Sequence, residues 1–147
     1  MIQVNNERPG IMLEKIVSAV GRDLKGLTVG ILGLTFKPNT DDMRESPTIP
    51  IIRGLQERGA EIQAYDPAGM EQAKAYLEDV DYKTDLYGAA VNADALVLAT
   101  EWNRFRNIDW NRMKELLSRP IVVDLRNMYD PERMRALGFE YTSVGRP

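Results

Sequence analysis

The chain has 147 residues with a formal net charge of -3 and a pI near 5.1, and its 44% hydrophobic and 28% charged content suits one ordinary folded domain. The acidic balance argues against a general nucleic-acid footprint, and no apolar run approaches the roughly 20 residues of a membrane span. With no Cys and no His, disulfides, thiolate nucleophiles, imidazole acid-base catalysis and Cys/His metal sites are all excluded, leaving carboxylates, Lys, Tyr and hydroxyls for chemistry.

No basic, apolar leader opens the chain, so a cytoplasmic setting without membrane is the expectation, with a small molecule as partner. Any phosphate on that ligand has to be met by a local cluster of cations.

Leu13, Ile16, Val17 and Val20 follow helical spacing and predict a first helix that ends at Gly21, with Asn6 as a candidate cap. From Leu27 onward the pattern alternates strand, loop and helix. Strands are expected at Thr28 to Leu32, Glu61 to Tyr65, Ala95 to Ala99, Ile121 to Leu125 and Glu140 to Val144, with Val80 to Lys83 as an edge. Helices are expected near Ser46 to Arg58, Gly69 to Glu78, Asp85 to Asn92, Asp109 to Ser118 and Asp130 to Leu137. Short apolar runs of this kind suit a parallel sheet covered on both faces, and right-handed crossovers then impose a doubly wound, mostly parallel α/β sheet behind an N-terminal helix. The division expected is residues 1–25 as helix and linker and residues 26–147 as the ligand-binding domain.

The helix after the first strand carries the clearest local signals. Ser46 is expected as its N-cap and Pro47 at its first position, Ile51, Ile52 and Leu55 supply a buried stripe, and Gly59 ends it. Pro50 either sits where its missing N–H costs little or shifts the start.

The loop between that strand and helix, Leu34 to Glu45, has the layout of an anion site: a buried strand, a glycine exit, two cations and then a helix start. The usual dinucleotide turn is absent. Gly30 and Gly33 are present, but Gly-x-Gly-x-x-Gly gives way to a longer loop bearing Phe36 and Lys37, so a dinucleotide held in the ordinary way is not expected here. In a doubly wound sheet the ligand crevice lies beyond the carboxyl ends of the strands where strand order reverses. The Leu34 to Glu45 loop, Thr100-Glu101-Trp102 and Arg126 should therefore face one cleft.

Lys37 offers a compact ammonium to diphosphate oxygens, a contact worth about 1.5 to 3 kcal/mol. Arg126 leaves a strand end, where its planar fork suits phosphate or sugar oxygens, although an ion pair with Asp124 or Asp130 fits its spacing equally well. Arg44 has Asp41, Asp42 and Glu45 close by, so exposed ion pairs account for it as readily as a ligand does. Phe36 fits core packing as well as a ligand contact. Thr100, Trp102 and Phe105 read first as a cap on the core edge, and Asp66-Pro67 reads first as a turn rather than as a ribose ligand.

The run Phe36-Lys37-Pro38-Asn39-Thr40-Asp41-Asp42-Met43-Arg44-Glu45-Ser46-Pro47 resembles the signature of the C-terminal, nucleotide-sugar-binding domain of the UDP-glucose 6-dehydrogenase family. Tyr65-Asp66-Pro67, Thr100-Glu101-Trp102 with Phe105, and Asp124-Leu125-Arg126 follow in the order that family shows. The resemblance covers the chain from about Val4 to the end.

It implies a Rossmann-like, UDP-sugar-binding domain of an NAD-dependent oxidoreductase that converts UDP-glucose to UDP-glucuronate for polysaccharide biosynthesis. Phe36, Lys37 and Arg126 would contact the UDP-sugar, and Arg44 would reach NAD bound mainly by a missing N-terminal half. The catalytic cysteine of such enzymes would lie in that half, so no catalytic residue and no metal site are expected here, and the piece alone is expected to be inactive. The first helix would be the tail of an interdomain helix that builds a homodimer or larger assembly, which makes the chain an excised part. UDP-glucose is favoured by the Pro38-Asn39-Thr40 form of the loop. The alternatives are a GDP-mannose or UDP-N-acetyl amino sugar dehydrogenase domain, a stand-alone nucleotide-binding regulatory module, and a dimerisation scaffold.

Overall fold

The computed structural model describes residues 2–35, 39, 42–43 and 46–143, with the side chains of residues 2–9 excepted. Six strands form one all-parallel sheet in the order β3-β2-β1-β4-β5-β6: β1 Thr28–Leu32, β2 Glu61–Tyr65, β3 Val80–Tyr82, β4 Ala95–Leu98, β5 Ile121–Asp124 and β6 Glu140–Ser143. Sequence order reverses between β1 and β4, which pair directly from Val29 with Ala95 to Leu32 with Leu98. The helices are α1 Ile2–Val20, α2 Thr48–Glu57, α3 Met70–Ala73, α4 Trp110–Leu116 and α5 Pro131–Ala136. Among the described residues no helix is long and apolar enough to cross a membrane.

Strand alternation divides the core in two. Val29, Ile31, Ala95, Val97, Ile121 and Val123 face α1 and α2, meeting Ile16, Val20, Ile52 and Leu55. On the other face, Leu32, Leu96, Leu98 and Val122 meet Trp110 and Met113 of α4, Met134 of α5 and the aromatic residues Phe105, Tyr129 and Tyr141. Helix α1 packs closely on α2 because Gly54 presents no Cβ, and a Cβ there would run into the Leu13 side chain.

Several expected boundaries move, each for a local reason. Helix α1 already runs from Ile2, so Asn6 lies inside it and does not cap it. Helix α2 begins at Thr48 with Pro47 at the cap position, one step later than expected. Pro50 therefore falls within the first turn, where no backbone N–H is needed. The segment Gly69 to Glu78 holds only the single turn α3, after which Ala75 and Tyr76 donate backward to Gln72 and Ala73 in tighter three-residue turns. Around Asp85 to Asn92 only a 3-10 turn, Gly88–Ala90, is present, and the Asp85 carboxylate accepts from the Gly88 N–H at 2.8 Å.

Gly30 and Gly33 are needed for close approach. A Cβ on Gly30 would strike the Ala89 carbonyl, which packs over β1, and Gly33 has a φ of +99° with Thr100 beside it. Gly33→Ala would place Cβ 2.5 Å from Thr100 Cβ in a backbone conformation that L residues disfavour. We expect it to cost about 2 kcal/mol or more of stability, read by urea unfolding. A change within about 0.5 kcal/mol would show that β1 and β4 are not held this tightly.

In the second core, Trp110 stands edge-on to Tyr129 and to Phe139 with ring centroids 5.1 and 5.3 Å away. The Tyr129 hydroxyl donates to the Phe105 carbonyl. Burial raises the Tyr129 phenol above its ordinary value of 10.0, against smaller lowering by a backbone hydrogen bond from Ile108. The unfolded chain ionises first as pH rises, so this phenol's contribution is whole below about pH 10 and is lost as pH climbs through the raised native value. Stability measured by denaturant titration should fall above about pH 10, and Tyr129→Phe should blunt that fall; an identical fall in the variant would assign it to other groups.

Candidate functional site at the carboxyl rim of the sheet

Hydrogen bonds cross the carboxyl rim of the sheet and hold the strand exits in fixed relation. The anchor on the β2 side is Asp66, which is fully buried. Its Oδ2 accepts from the N–H groups of Leu34 at 2.7 Å and Thr35 at 3.1 Å and from the Thr35 hydroxyl at 3.3 Å. Its Oδ1 accepts from the N–H groups of Ala68 at 2.8 Å and Gly69 at 2.7 Å. Among the described residues its partners are five donors, so both carboxylate oxygens are engaged inside the protein. Asp66 is thus a turn-former, as its Pro67 neighbour suggested, but it also ties the exit of β1 to the exit of β2.

From Thr35 the hydrogen bonds continue across β1 and β4. The Thr35 carbonyl accepts from the buried Thr100 hydroxyl at 2.8 Å. One residue earlier, the Ala99 carbonyl accepts from Arg126 Nε at 3.0 Å. Arg126 in turn follows β5, whose last residue, Asp124, is fully buried. That carboxylate accepts from the N–H groups of Arg126 at 3.0 Å, Met128 at 2.7 Å and Tyr129 at 3.1 Å and from the Tyr141 hydroxyl at 2.6 Å. Asn127, at φ +56°, turns the chain within that clamp, a conformation asparagine tolerates. Asp124 therefore engages the Arg126 backbone, while the Arg126 Nε holds its guanidinium against the end of β4.

The loop after β1 is drawn together at its base. The Leu34 carbonyl accepts from both the Ser46 hydroxyl at 2.6 Å and the Thr48 hydroxyl at 2.5 Å, so one carbonyl joins the two ends of the segment. This corrects the capping role expected of Ser46. Its hydroxyl is turned to Leu34, and its contact with the Thr48 N–H is a long 3.4 Å. Met43, between these ends, is buried in the core.

Of the candidate ligand contacts, Arg126 lies at this rim, whereas Phe36, Lys37 and Arg44 lie outside the described residues, as does Asp41. Phe105 is fully buried and Trp102 is 8% exposed, so both line the core edge as expected. The Trp102 indole N–H is buried there with no hydrogen-bond partner among the described residues. Sequence reasoning missed the Thr35–Thr100 bond and the pair of hydroxyls on Leu34, since a threonine beside a strand end gives no signal of which carbonyl it will meet. It also missed Arg104, whose Nη1 donates to the Tyr65 hydroxyl at 2.7 Å on the β2 side.

The rim does not suit a dinucleotide held in the ordinary Rossmann way. That mode needs a tight glycine turn after β1 and an acid at the end of β2 free to accept from a ribose. Here the turn is replaced by the longer loop, and Asp66 has no lone pair to offer.

An all-parallel, doubly wound sheet whose strand order reverses between β1 and β4 has the topology of the nucleotide-binding domains of dehydrogenases. The chain belongs to the UDP-glucose/GDP-mannose dehydrogenase family, whose UDP binding domain matches residues 30–131. It is 48% identical over 146 residues to UDP-glucose 6-dehydrogenase of Rhizobium meliloti (strain 1021), covering 99% of this chain and 33% of that protein. Among solved structures, a UDP-glucose dehydrogenase from the hyperthermophilic archaeon Pyrobaculum islandicum superposes with a TM-score of 0.76 at 32% identity, over 98% of this chain and 30% of the other. The NDP-N-acetyl-D-galactosaminuronic acid dehydrogenase of Methanosarcina mazei Go1 gives 0.86 at 26% identity, with 98% and 30% covered. The chain spans about a third of the length of the curated relatives it matches.

Removing the Asp66 clamp tests the architecture of the rim. Asp66→Ala leaves four N–H groups without their acceptor, and we expect a loss of at least about 3 kcal/mol by urea unfolding. Asp66→Asn turns an amide NH2 toward donors and should lose about half as much. Two variants as stable as the unmodified chain would remove Asp66 from its structural role.

Proposed function

We propose that this chain holds the UDP portion of a UDP-sugar at the carboxyl rim between β1 and β4, as part of an NAD-dependent UDP-glucose 6-dehydrogenase. The observation that carries the reading is the pair of bonds Thr35–Thr100 and Ala99–Arg126, because they hold the start of the segment after β1 and the Arg126 guanidinium at the same edge of the sheet in a chain of this family. Lys37 follows Thr35 by two residues, a reach of about 7 Å from a fixed carbonyl. In this reading Lys37 and Arg126 take the diphosphate, and Phe36 packs against the nucleotide.

UDP-glucose is favoured among sugar nucleotides. Relatives named UDP-glucose 6-dehydrogenase reach 48% identity, whereas the solved N-acetyl sugar and GDP-mannose dehydrogenases that superpose on the chain stand at 26% or below. Oxidation of the sugar would be carried out by the remaining two thirds of a protein of the relatives' length, which would also bind NAD. Arg44 is assigned to contact that cofactor across the junction, and a homodimer or larger assembly is the expected state of the longer protein, in the cytoplasm. Within this chain the work is binding and orientation: uniform binding of the nucleotide, remote from the reacting carbon, which lets the sugar be placed against groups held elsewhere.

Calorimetry of the chain with UDP should show binding, and Lys37→Ala should weaken it about tenfold while leaving the melting temperature unchanged. No interaction with UDP or UDP-glucose at millimolar concentration would overturn the reading. Unchanged affinity in the variant, with binding intact, would remove Lys37 from the site.

A further inference from the structure

The carboxyl rim has a second flank, on the β2 side, that the assignments above leave without a function. Tyr65 is the last residue of β2 and pairs with Leu32 of β1. Its ring is buried and stands edge-on to Phe105 at 6.3 Å between centroids. Its hydroxyl accepts from Arg104 Nη1 at 2.7 Å. Arg104 belongs to the 3-10 turn Asn103–Arg106 that follows β4, so this bond reaches from the exit of β4 over to the exit of β2. It therefore passes across the end of β1, the strand whose loop carries Lys37.

Arg104 differs from its neighbours in the partner it keeps. Arg106 has Glu101 at 3.6 Å. Among the described residues Arg104 has no carboxylate partner, and its one recorded bond goes to a neutral phenol. A phenol holds a guanidinium in place without neutralising it, so the remaining donors of the fork keep their charge for a ligand. Anchoring also lowers the conformational cost of a later contact.

We infer that Arg104, held by Tyr65, is a further phosphate-binding residue that meets the nucleotide's diphosphate from the β2 side, opposite Arg126. Tyr65 is on β2 and Ala99 follows β4, strands two places apart whose backbones run about 10 Å from each other. Two guanidiniums tethered to these flanks can take a diphosphate between them. The inference rests on the UDP-binding reading and adds a contact to it. Tyr65 acts through Arg104 and is a positioning residue.

The test compares UDP with uridine, which lacks the phosphates, by NMR titration of the 147-residue chain and its variants. Arg104→Gln should weaken UDP about tenfold, leave uridine unchanged and make the salt dependence of UDP binding shallower. Tyr65→Phe, which removes only the hydroxyl, should weaken UDP about threefold alone and have no further effect in the Arg104→Gln background. UDP affinity unchanged in Arg104→Gln, with Lys37→Ala still impaired, would overturn the inference and leave the UDP reading standing. Equal losses for UDP and uridine would overturn a phosphate contact. An unmodified chain that binds no UDP would overturn both.

Discussion

The organising interaction of this domain is a carboxylate buried at the end of a strand. Asp66 lies where an open α/β sheet exposes backbone N–H groups at the start of its loops, and it gathers four of them together with a hydroxyl. Burying a charge is costly unless hydrogen bonds replace its water, and here every recorded contact is a donor. The return is positional: the exit of β1 is locked to the turn after β2. Asp124 repeats the arrangement at the end of β5, with three N–H groups and a tyrosine hydroxyl. Two such clamps, on either side of the switch point, fix the strand exits between them.

Fixed strand exits explain how a binding site can be made with so little apparatus. A ligand contact gains affinity when the contacting group is already ordered, because less conformational entropy is lost on binding. The Arg126 guanidinium is tethered by Nε to Ala99, and Arg104 by Nη1 to Tyr65. The Arg104 tether ends on a phenol, which orders the side chain without neutralising it. The fixed carboxylates, by contrast, are turned inward and saturated. Negative charge at this rim is used for scaffolding, and the proposed ligand contacts are cations, which makes a chain of net charge -3 compatible with an anionic ligand.

The strands and the parallel, doubly wound arrangement were legible in the sequence because alternation within short apolar runs is dictated by burial on both faces. β1 and β2 fall where their residues predict, Thr28–Leu32 and Glu61–Tyr65, and the weak Val80 run is the edge strand β3. The short helices were overestimated, since apolar spacing in Gly69 to Glu78 suits a chain of tight turns as well as it suits a helix. At the site, the strand-end rule carried Arg126 to the rim. The partners of Thr35, Ser46 and Thr100 could not be read, because each hydroxyl chooses a carbonyl distant in sequence and the choice exists only after the sheet has formed. Ser46 shows the limit well: Ser-Pro before a helix signals a cap, yet α2 starts one residue later, with Pro47 at the cap, and the Ser46 hydroxyl donates to the Leu34 carbonyl at 2.6 Å.

The commitment of one carboxylate explains why this rim departs from the ordinary dinucleotide site while keeping its topology. In that site the acid after β2 serves the ligand and a glycine-rich turn lets the pyrophosphate approach the backbone of the first helix. Here the acid serves the loop. With the Asp66 carboxylate committed to Leu34 and Thr35, β1 can end in a longer segment whose two ends meet on the Leu34 carbonyl, and helix α2 starts only at Thr48. A long loop costs little more closure entropy than a short one once its base is fixed. It can carry side-chain cations where a tight glycine turn offers only backbone. Reassigning one carboxylate from ligand to scaffold therefore permits a change from backbone recognition of phosphate to recognition by lysine and arginine, and it needs no change in the order of the strands.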